Sequence, residues 1–261
     1  MQDQSRPRRR PRRGIYLLPN LFTTATLFGG FYAIVAALSG RYSESALAIL
    51  VAMVADALDG RIARLTNTAS DFGKEYDSLC DMVAFGVATG VLVYAYSLQH
   101  FADYQWLGGK LGWVIAFAFV ACTAMRLARF NVLTNIAGGK GDFFGLPSPA
   151  AAAVLVFYTW SVHSWGLSGE TLLPLTAVLT LGIALMMVSS VRYPSFKGIN
   201  LTGRVRFVSF AAVVGALALV MVDPPRILFL LFFAYALSGP VAALAGRRLR
   251  LRPLGKGGSG E

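Results

Sequence analysis

The stretch SALAILVAMVADALDGRIA, Ser45–Ala63, combines an apolar run with acids in its last turns, Asp56 and Asp59, followed by Arg61. A helix that crosses a bilayer needs about 20 mostly apolar residues. This stretch has that length, yet a carboxylate inside such a span is costly and marks a functional site by default. The next apolar run, residues 80–98, repeats the feature at its start, where Asp77 and Asp81 stand. Six of the 13 acidic residues fall between positions 56 and 81: Asp56, Asp59, Asp71, Glu75, Asp77 and Asp81.

The rest of the chain agrees with lipid as the solvent. Of its 261 residues 56% are hydrophobic and 14% charged, against about 25% charged in ordinary soluble domains. The mean hydropathy is +0.58. With 18 Phe and 10 Tyr the chain is too rich in aromatics for disorder. Two cysteines, Cys80 and Cys122, both in apolar runs, do not make a disulfide scaffold. Eight candidate spans follow one another, approximately 21–39, 45–63, 80–98, 111–130, 148–166, 171–190, 207–222 and 227–245. The expected fold is therefore all-α, a polytopic transmembrane bundle. The first span follows a cationic stretch as a signal peptide would, but its apolar run is longer than a signal core, so it reads as a retained helix. Residues Gly14–Asn20 read as an interfacial lead-in with Pro19 at a bend.

The net charge is +11, from 24 Lys and Arg against 13 acids. The arginines gather at span ends and in the tails, the pattern of basic cytoplasmic loops and not of a nucleic-acid-binding face. With the N-terminus inside, the inner segments carry 21 Lys and Arg, and the outer loops only Arg41, Lys110 and Arg226. That asymmetry predicts eight spans with both termini cytoplasmic. It also divides the chain into a basic tail (1–13), a membrane domain (14–245) and a basic flexible tail (246–261). No internal repeat is visible.

Asp56 and Asp59, spaced i, i+3, share a helix face, as do Asp77 and Asp81, spaced i, i+4. Antiparallel neighbours joined on the cytoplasmic side would bring the four together. Such anions repel one another, and divalent cations remove the repulsion. All-oxygen ligands favour Mg²⁺, Mn²⁺ or Ca²⁺. A Cys/His cluster suited to zinc is missing, and His100 and His163 belong near the outer face. Two hard cations held by carboxylates are a device for phosphoryl transfer. Gly60, Ala63 and Gly73 lack bulk and leave room for a ligand, and Arg64 is placed for a phosphate contact. The bland alternative, a structural network with Arg61 and Arg64, leaves more acids than two arginines need. A cation-coupled transporter is a second alternative. The single acid cluster and the lack of a repeated half speak against it.

Written as a pattern, the segment is Asp56-x2-Asp59-Gly60-x2-Ala63-Arg64-x8-Gly73-x3-Asp77-x3-Asp81, eight fixed residues over 26 positions. It resembles, at every fixed position and gap, the signature of the CDP-alcohol phosphatidyltransferase family. Members are integral membrane enzymes that move a substituted phosphate from a CDP-linked lipid to an alcohol and release CMP. The strings Gly14–Thr23, Arg126-Leu-Ala-Arg-Phe-Asn131 and Phe144-Gly-Leu-Pro-Ser-Pro-Ala150 are most similar to the serine-using, membrane-embedded bacterial branch.

That resemblance implies CDP-diacylglycerol and L-serine as substrates, phosphatidylserine and CMP as products, and a place in the bacterial cytoplasmic membrane with the site facing inward. It implies two divalent cations, Mg²⁺ or Mn²⁺, on Asp56, Asp59, Asp77 and Asp81, with Asp81 also the general base. Gly60, Ala63, Arg64 and Gly73 would then receive CDP-diacylglycerol. Arg126, Arg129 and Asn131 are candidates for the serine carboxylate, the arginines being equally explained by the positive-inside rule. The motif leaves other acceptors open: glycerol phosphate, inositol phosphate or choline. A homodimer is usual in the family, and small residues in 148–166 would suit close packing. Ser148, between two prolines, reads as a helix N-cap; no inner-face His makes it a nucleophile. Gly138–Gly141 lacks the phosphate-loop spacing and reads as a loop beside the site.

Overall fold

The computed structural model of the protein describes residues 17–66, 70–104, 109–137, 145–191, 193 and, between 214 and 250, all but 216, 217 and 219. Their regular structure is helical throughout. The helices are α1 (Leu17–Leu38), α2 (Tyr42–Thr66), α3 (Asp71–Asp81), α4 (Ala88–Tyr96), α5 (Leu111–Ala137), α6 (Ser148–Ser164), α7 (Leu173–Val188) and α8 (Pro224–Arg250). A π-helical turn, Met82–Val87, joins α3 to α4, and a 3-10 turn, Leu98–Ala102, follows α4. The amide of Ala88 reaches back five residues to the carbonyl of Val83, the hydrogen bond that widens a helix into a π turn.

Helix α6 is the centre of the bundle. Ala151, Ala152, Ala153, Val154, Leu155, Val156 and Phe157 are all fully buried. A helix enclosed on every side has no need of an amphipathic pattern, and this one is apolar all round. One core joins it to α1, α2 and α4 through Ala33, Ile49, Phe85 and Leu92. A second joins it to α4, α5 and α7 through Val93, Phe119, Leu146 and Met187. Small residues set the spacing. A Cβ on Gly30 would stand 2.6 Å from Ala84 Cα, so only glycine lets α1 meet the π turn. The alanines of α6 are thus used inside the chain, which corrects the expectation that they pack against a second copy.

Helix α8 contains Pro240. Proline has no amide hydrogen, so the carbonyl four residues earlier, that of Ala236, loses its helical donor. The hydroxyl of Tyr193 donates to that carbonyl at 3.0 Å. Its ring fits over Gly239, where an added Cβ would come within 2.5 Å of it.

The outer surface suits lipid. Phe28 and Val178 are each 70% exposed, and Phe117, Val51 and Leu185 also face outward. Apolar patches on this scale are not kept in water. Four segments among the described residues are long and apolar enough to cross a membrane: Asn20–Leu38, Asp71–Tyr96, Leu111–Val132 and Pro224–Ala243. Of the other expected spans, α2 is long enough but carries Asp56, Asp59 and Arg61. Helices α6 and α7 are shorter, at 17 and 16 residues, and 207–222 lies mostly outside the described residues.

Two boundaries differ from expectation. Helix α1 already includes Pro19, which sits in the first turn where a missing amide costs no hydrogen bond, and not at a bend. Helix α5 continues to Ala137, past the expected end at 130, so Asn131 is helical along with Arg126 and Arg129. The tail 1–13, residues 251–261 and the loop Gly138–Gly141 lie outside the described residues, while 246–250 continue α8 and so correct the expectation of a flexible tail from 246.

Candidate active site

Helices α2 and α3 bring the acids together. Ser70 caps α3, its hydroxyl accepting the Gly73 amide at 3.0 Å. The start of α3 is tied to α1 by a hydrogen bond of 3.1 Å between the hydroxyls of Thr24 and Tyr76. From this frame Asp77 and Asp81 point toward Asp56 of α2. Each of the three offers a carboxylate oxygen, and these oxygens lie within 4.8 Å of one another.

The fourth acid stands apart from this group. Asp59, only 5% exposed, accepts a hydrogen bond from the hydroxyl of Thr23 on α1. Sequence reasoning missed Thr23, because no spacing rule links it to an acid 36 residues later. Its one signal is that it closes the string Gly14–Thr23.

Among the described residues, no ion pair neutralises Asp56, Asp77 or Asp81. One oxygen of Asp81, Oδ1, is buried without a hydrogen-bond partner. Three close carboxylates repel one another, and a buried oxygen without a partner costs roughly 1–3 kcal/mol or more. A divalent cation among them removes both costs, and an oxygen-only donor set suits a hard ion. The residues fit such a group.

Arg126 of α5 is a counter-charge within electrostatic reach of Asp81, and it also reaches Tyr235. Its guanidinium donates to the hydroxyl of Ser148 at 2.5 Å. Ser148 is fully buried and is the first residue of α6, after Pro147 at the cap position, and it makes no cap hydrogen bond. This corrects the N-cap reading: with Pro149 next to it, the hydroxyl turns to Arg126 instead. Arg129 is exposed and donates to the carbonyl of Val188 at 3.4 Å. Asn131 donates to the Ser78 hydroxyl at 3.0 Å, fastening α5 to α3 between Asp77 and Asp81. Gly60 lies exposed on α2, and Gly73 supports the α3 cap. Ala63 and Arg64 continue α2, and their side chains lie outside the described residues. Of the residues expected to meet serine, Arg126 borders Asp81 electrostatically. His163 packs edge-on to Tyr42 and Tyr96, away from them.

The pattern that defines the CDP-alcohol phosphatidyltransferases matches residues 16–188, which include all four motif aspartates. The chain belongs to this family. A CDP-diacylglycerol–serine O-phosphatidyltransferase of Helicobacter pylori (strain ATCC 700392 / 26695) is 37% identical over 227 residues, covering 86% of this chain and 90% of that protein. The archaetidylserine synthase of Methanothermobacter thermautotrophicus is 32% identical over 185 residues, 70% of this chain and 72% of its own. A CDP-diacylglycerol–serine O-phosphatidyltransferase of Mycobacterium leprae is 28% identical over 253 residues, 95% of this chain and 82% of its own. The family uses divalent cations, and the acidic triad is where this chain offers ligands for them.

Proposed function

We propose that the protein transfers the phosphatidyl group of CDP-diacylglycerol to the hydroxyl of L-serine, giving phosphatidylserine and CMP. The observation that carries this reading is the convergence of Asp56, Asp77 and Asp81, motif acids from two helices, with a buried Asp81 oxygen lacking a partner. The names of relatives that align over most of the chain support serine as the acceptor.

Asp56, Asp77 and Asp81, with Asp59 beside them, would hold two divalent cations, Mg²⁺ or Mn²⁺. Bound there, the ions would offset charge on the diphosphate and on the leaving CMP oxygen. The chain's own groups do the rest. Asp81 takes the proton of the serine hydroxyl. The serine oxygen forms its bond to the lipid-side phosphorus, the bond from that phosphorus to the CMP oxygen breaks, and CMP leaves with the electron pair. Gly60 and Gly73, with Ala63, leave space for the nucleotide, and Arg64 pairs with phosphate. Arg126, oriented by Ser148, offers the cation that a serine carboxylate needs. Arg129 and Asn131 are further candidates on the same helix.

The same reading places residues 14–245 in the membrane as eight spans, with tails 1–13 and 246–261 and the acids on the cytoplasmic side of a bacterial inner membrane. A homodimer is part of it, formed through surfaces other than α6.

The test is the purified protein in detergent micelles with CDP-diacylglycerol and, in parallel, labelled serine, glycerol phosphate, inositol phosphate and choline. Phosphatidylserine and CMP should form in equal amounts. Transfer to another alcohol in preference would replace serine as the acceptor, and no CMP with any of them would overturn the reaction.

A further inference from the structure

Three polar residues of α1 share one face. Asn20, Thr23 and Thr24 stand at i, i+3 and i+4, the spacing that groups side chains on a helix. Two of them are engaged: Thr23 donates to Asp59, and the Thr24 hydroxyl meets that of Tyr76. The third borders the motif. Asn20 Oδ1 lies 3.6 Å from where a Cβ on Gly73 would stand. The backbone carbonyl of Asn20 accepts from the Thr24 hydroxyl at 2.7 Å, whereas its partly buried side-chain carboxamide has no hydrogen-bond partner among the described residues.

Helix α1 runs in the same direction as the rod of α3 and the π turn. Asn20 meets Gly73, Thr24 meets Tyr76, and Gly30 meets Ala84. The Gly30 end is apolar and the Asn20 end polar, with the acids between. Gly73 precedes Asp77 by one turn, about 6 Å along the axis at 1.5 Å per residue. A nucleotide lipid whose diphosphate lies at the acids therefore has its acyl chains toward Gly30 and its base toward Asn20 and Gly73.

A carboxamide sets a carbonyl acceptor beside an N–H donor. Asparagine meets the amino group and neighbouring ring nitrogen of adenine in this way, and cytosine carries the same pair. The diphosphate and the diacylglyceryl part offer no donor for Oδ1. We infer that Asn20 reads the cytosine of CDP-diacylglycerol, Oδ1 accepting from the ring amino group and Nδ2 donating to the adjacent ring nitrogen. The inference rests on CDP-diacylglycerol as the substrate and adds to it the residue that selects the base. Gly73 keeps the space beside that carboxamide open.

The test is binding of labelled CMP to the intact protein in detergent micelles with Mg²⁺, competed by ribose 5-phosphate and by the 2-pyrimidinone nucleotide, which lacks the amino group. Wild-type protein should prefer CMP to both. Asn20→Leu and Asn20→Ser should each weaken CMP about tenfold, the loss expected for two hydrogen bonds. Both should leave ribose 5-phosphate unchanged, which also shows that the site is still folded, and both should lose the preference for CMP over the 2-pyrimidinone nucleotide. Undiminished CMP binding in both variants would overturn the role of Asn20 alone. So would equal weakening of CMP and ribose 5-phosphate, which would make Asn20 a support of the phosphate end. Wild-type protein that binds CMP no better than ribose 5-phosphate would overturn the nucleotide substrate and the inference together.

Discussion

The hydroxyl of Thr23 on α1 donates to the carboxylate of Asp59 on α2, so one motif acid is held by a neighbouring helix while the other three face one another. Removing that donor leaves a buried carboxylate without it. A hydrogen bond to a charged group is worth about 1.5–3 kcal/mol, so Thr23→Val should lower turnover roughly tenfold to a hundredfold. Thr23→Ser should restore it. Steady-state kinetics over a series of metal concentrations would check this, with the variant needing more Mg²⁺ for half-maximal rate.

The carboxylate triad predicts dependence on metal. EDTA should abolish transfer, and Mg²⁺ or Mn²⁺ should restore it. Asp56→Asn or Asp77→Asn should lose several orders of magnitude in rate, since each removes a ligand from the group. Full activity in rigorously metal-free buffer would refute the assignment.

Asp81→Asn keeps the size of the side chain but removes the proton acceptor. Transfer to serine should fall by about 10²–10⁴-fold while CDP-diacylglycerol still binds within about tenfold. Raising serine should not recover the rate, because deprotonation and not binding is lost. The wild-type rate should rise with pH on the acid limb as the base ionises. Loss of nucleotide binding in the variant would assign Asp81 to the metal alone.

Tyr193 stands in for the amide that Pro240 lacks. Tyr193→Phe should cost about 1–3 kcal/mol by leaving the Ala236 carbonyl unpaired. In a Pro240→Ala background the helix supplies its own donor, and the same change should cost less. Thermal unfolding of the four proteins in one detergent gives the coupling. Equal costs in both backgrounds would show that the hydroxyl does not substitute for the amide.

The proposed orientation, with the acids on the cytoplasmic side, predicts which loops are reachable from outside. Single cysteines in 99–109 and 161–170, in a variant lacking Cys80 and Cys122, should react with an impermeant reagent on intact cells, and those in 131–146 should not. Labelling of the latter would refute eight spans.

Much of this was legible from the sequence because it depends on short-range periodicity. Helical spacing alone put Asp56 and Asp59 on one face and Asp77 and Asp81 on another, and the hydrophobic runs located α1, α2, α6 and α7 to within a few residues. Contacts between distant segments were not legible. Nothing local in Thr23, Ser148 or Tyr193 states that their partners are Asp59, Arg126 and the Ala236 carbonyl. Nor does periodicity distinguish a lipid-facing helix from a central one: α6 and α7 are both apolar, yet only α6 is enclosed. The end of α5 was misjudged because a helix continuing past residue 130 into polar Asn131 looks, by hydropathy, like a span that has stopped.

The π turn at Met82–Val87 makes the chain's length at that point a determinant of its geometry. Closing it to an α turn with every residue kept would rotate everything downstream by about 100° relative to α3. Asp77 and Asp81 would keep their places, while Ala84 would leave Gly30 and Gly90 would leave Val120. A one-residue deletion within the turn should therefore be better tolerated than one elsewhere in the same rod, where nothing absorbs the shift of register. The segment acts as a phase adjuster, letting one continuous rod present its acids in one direction and its small residues in another.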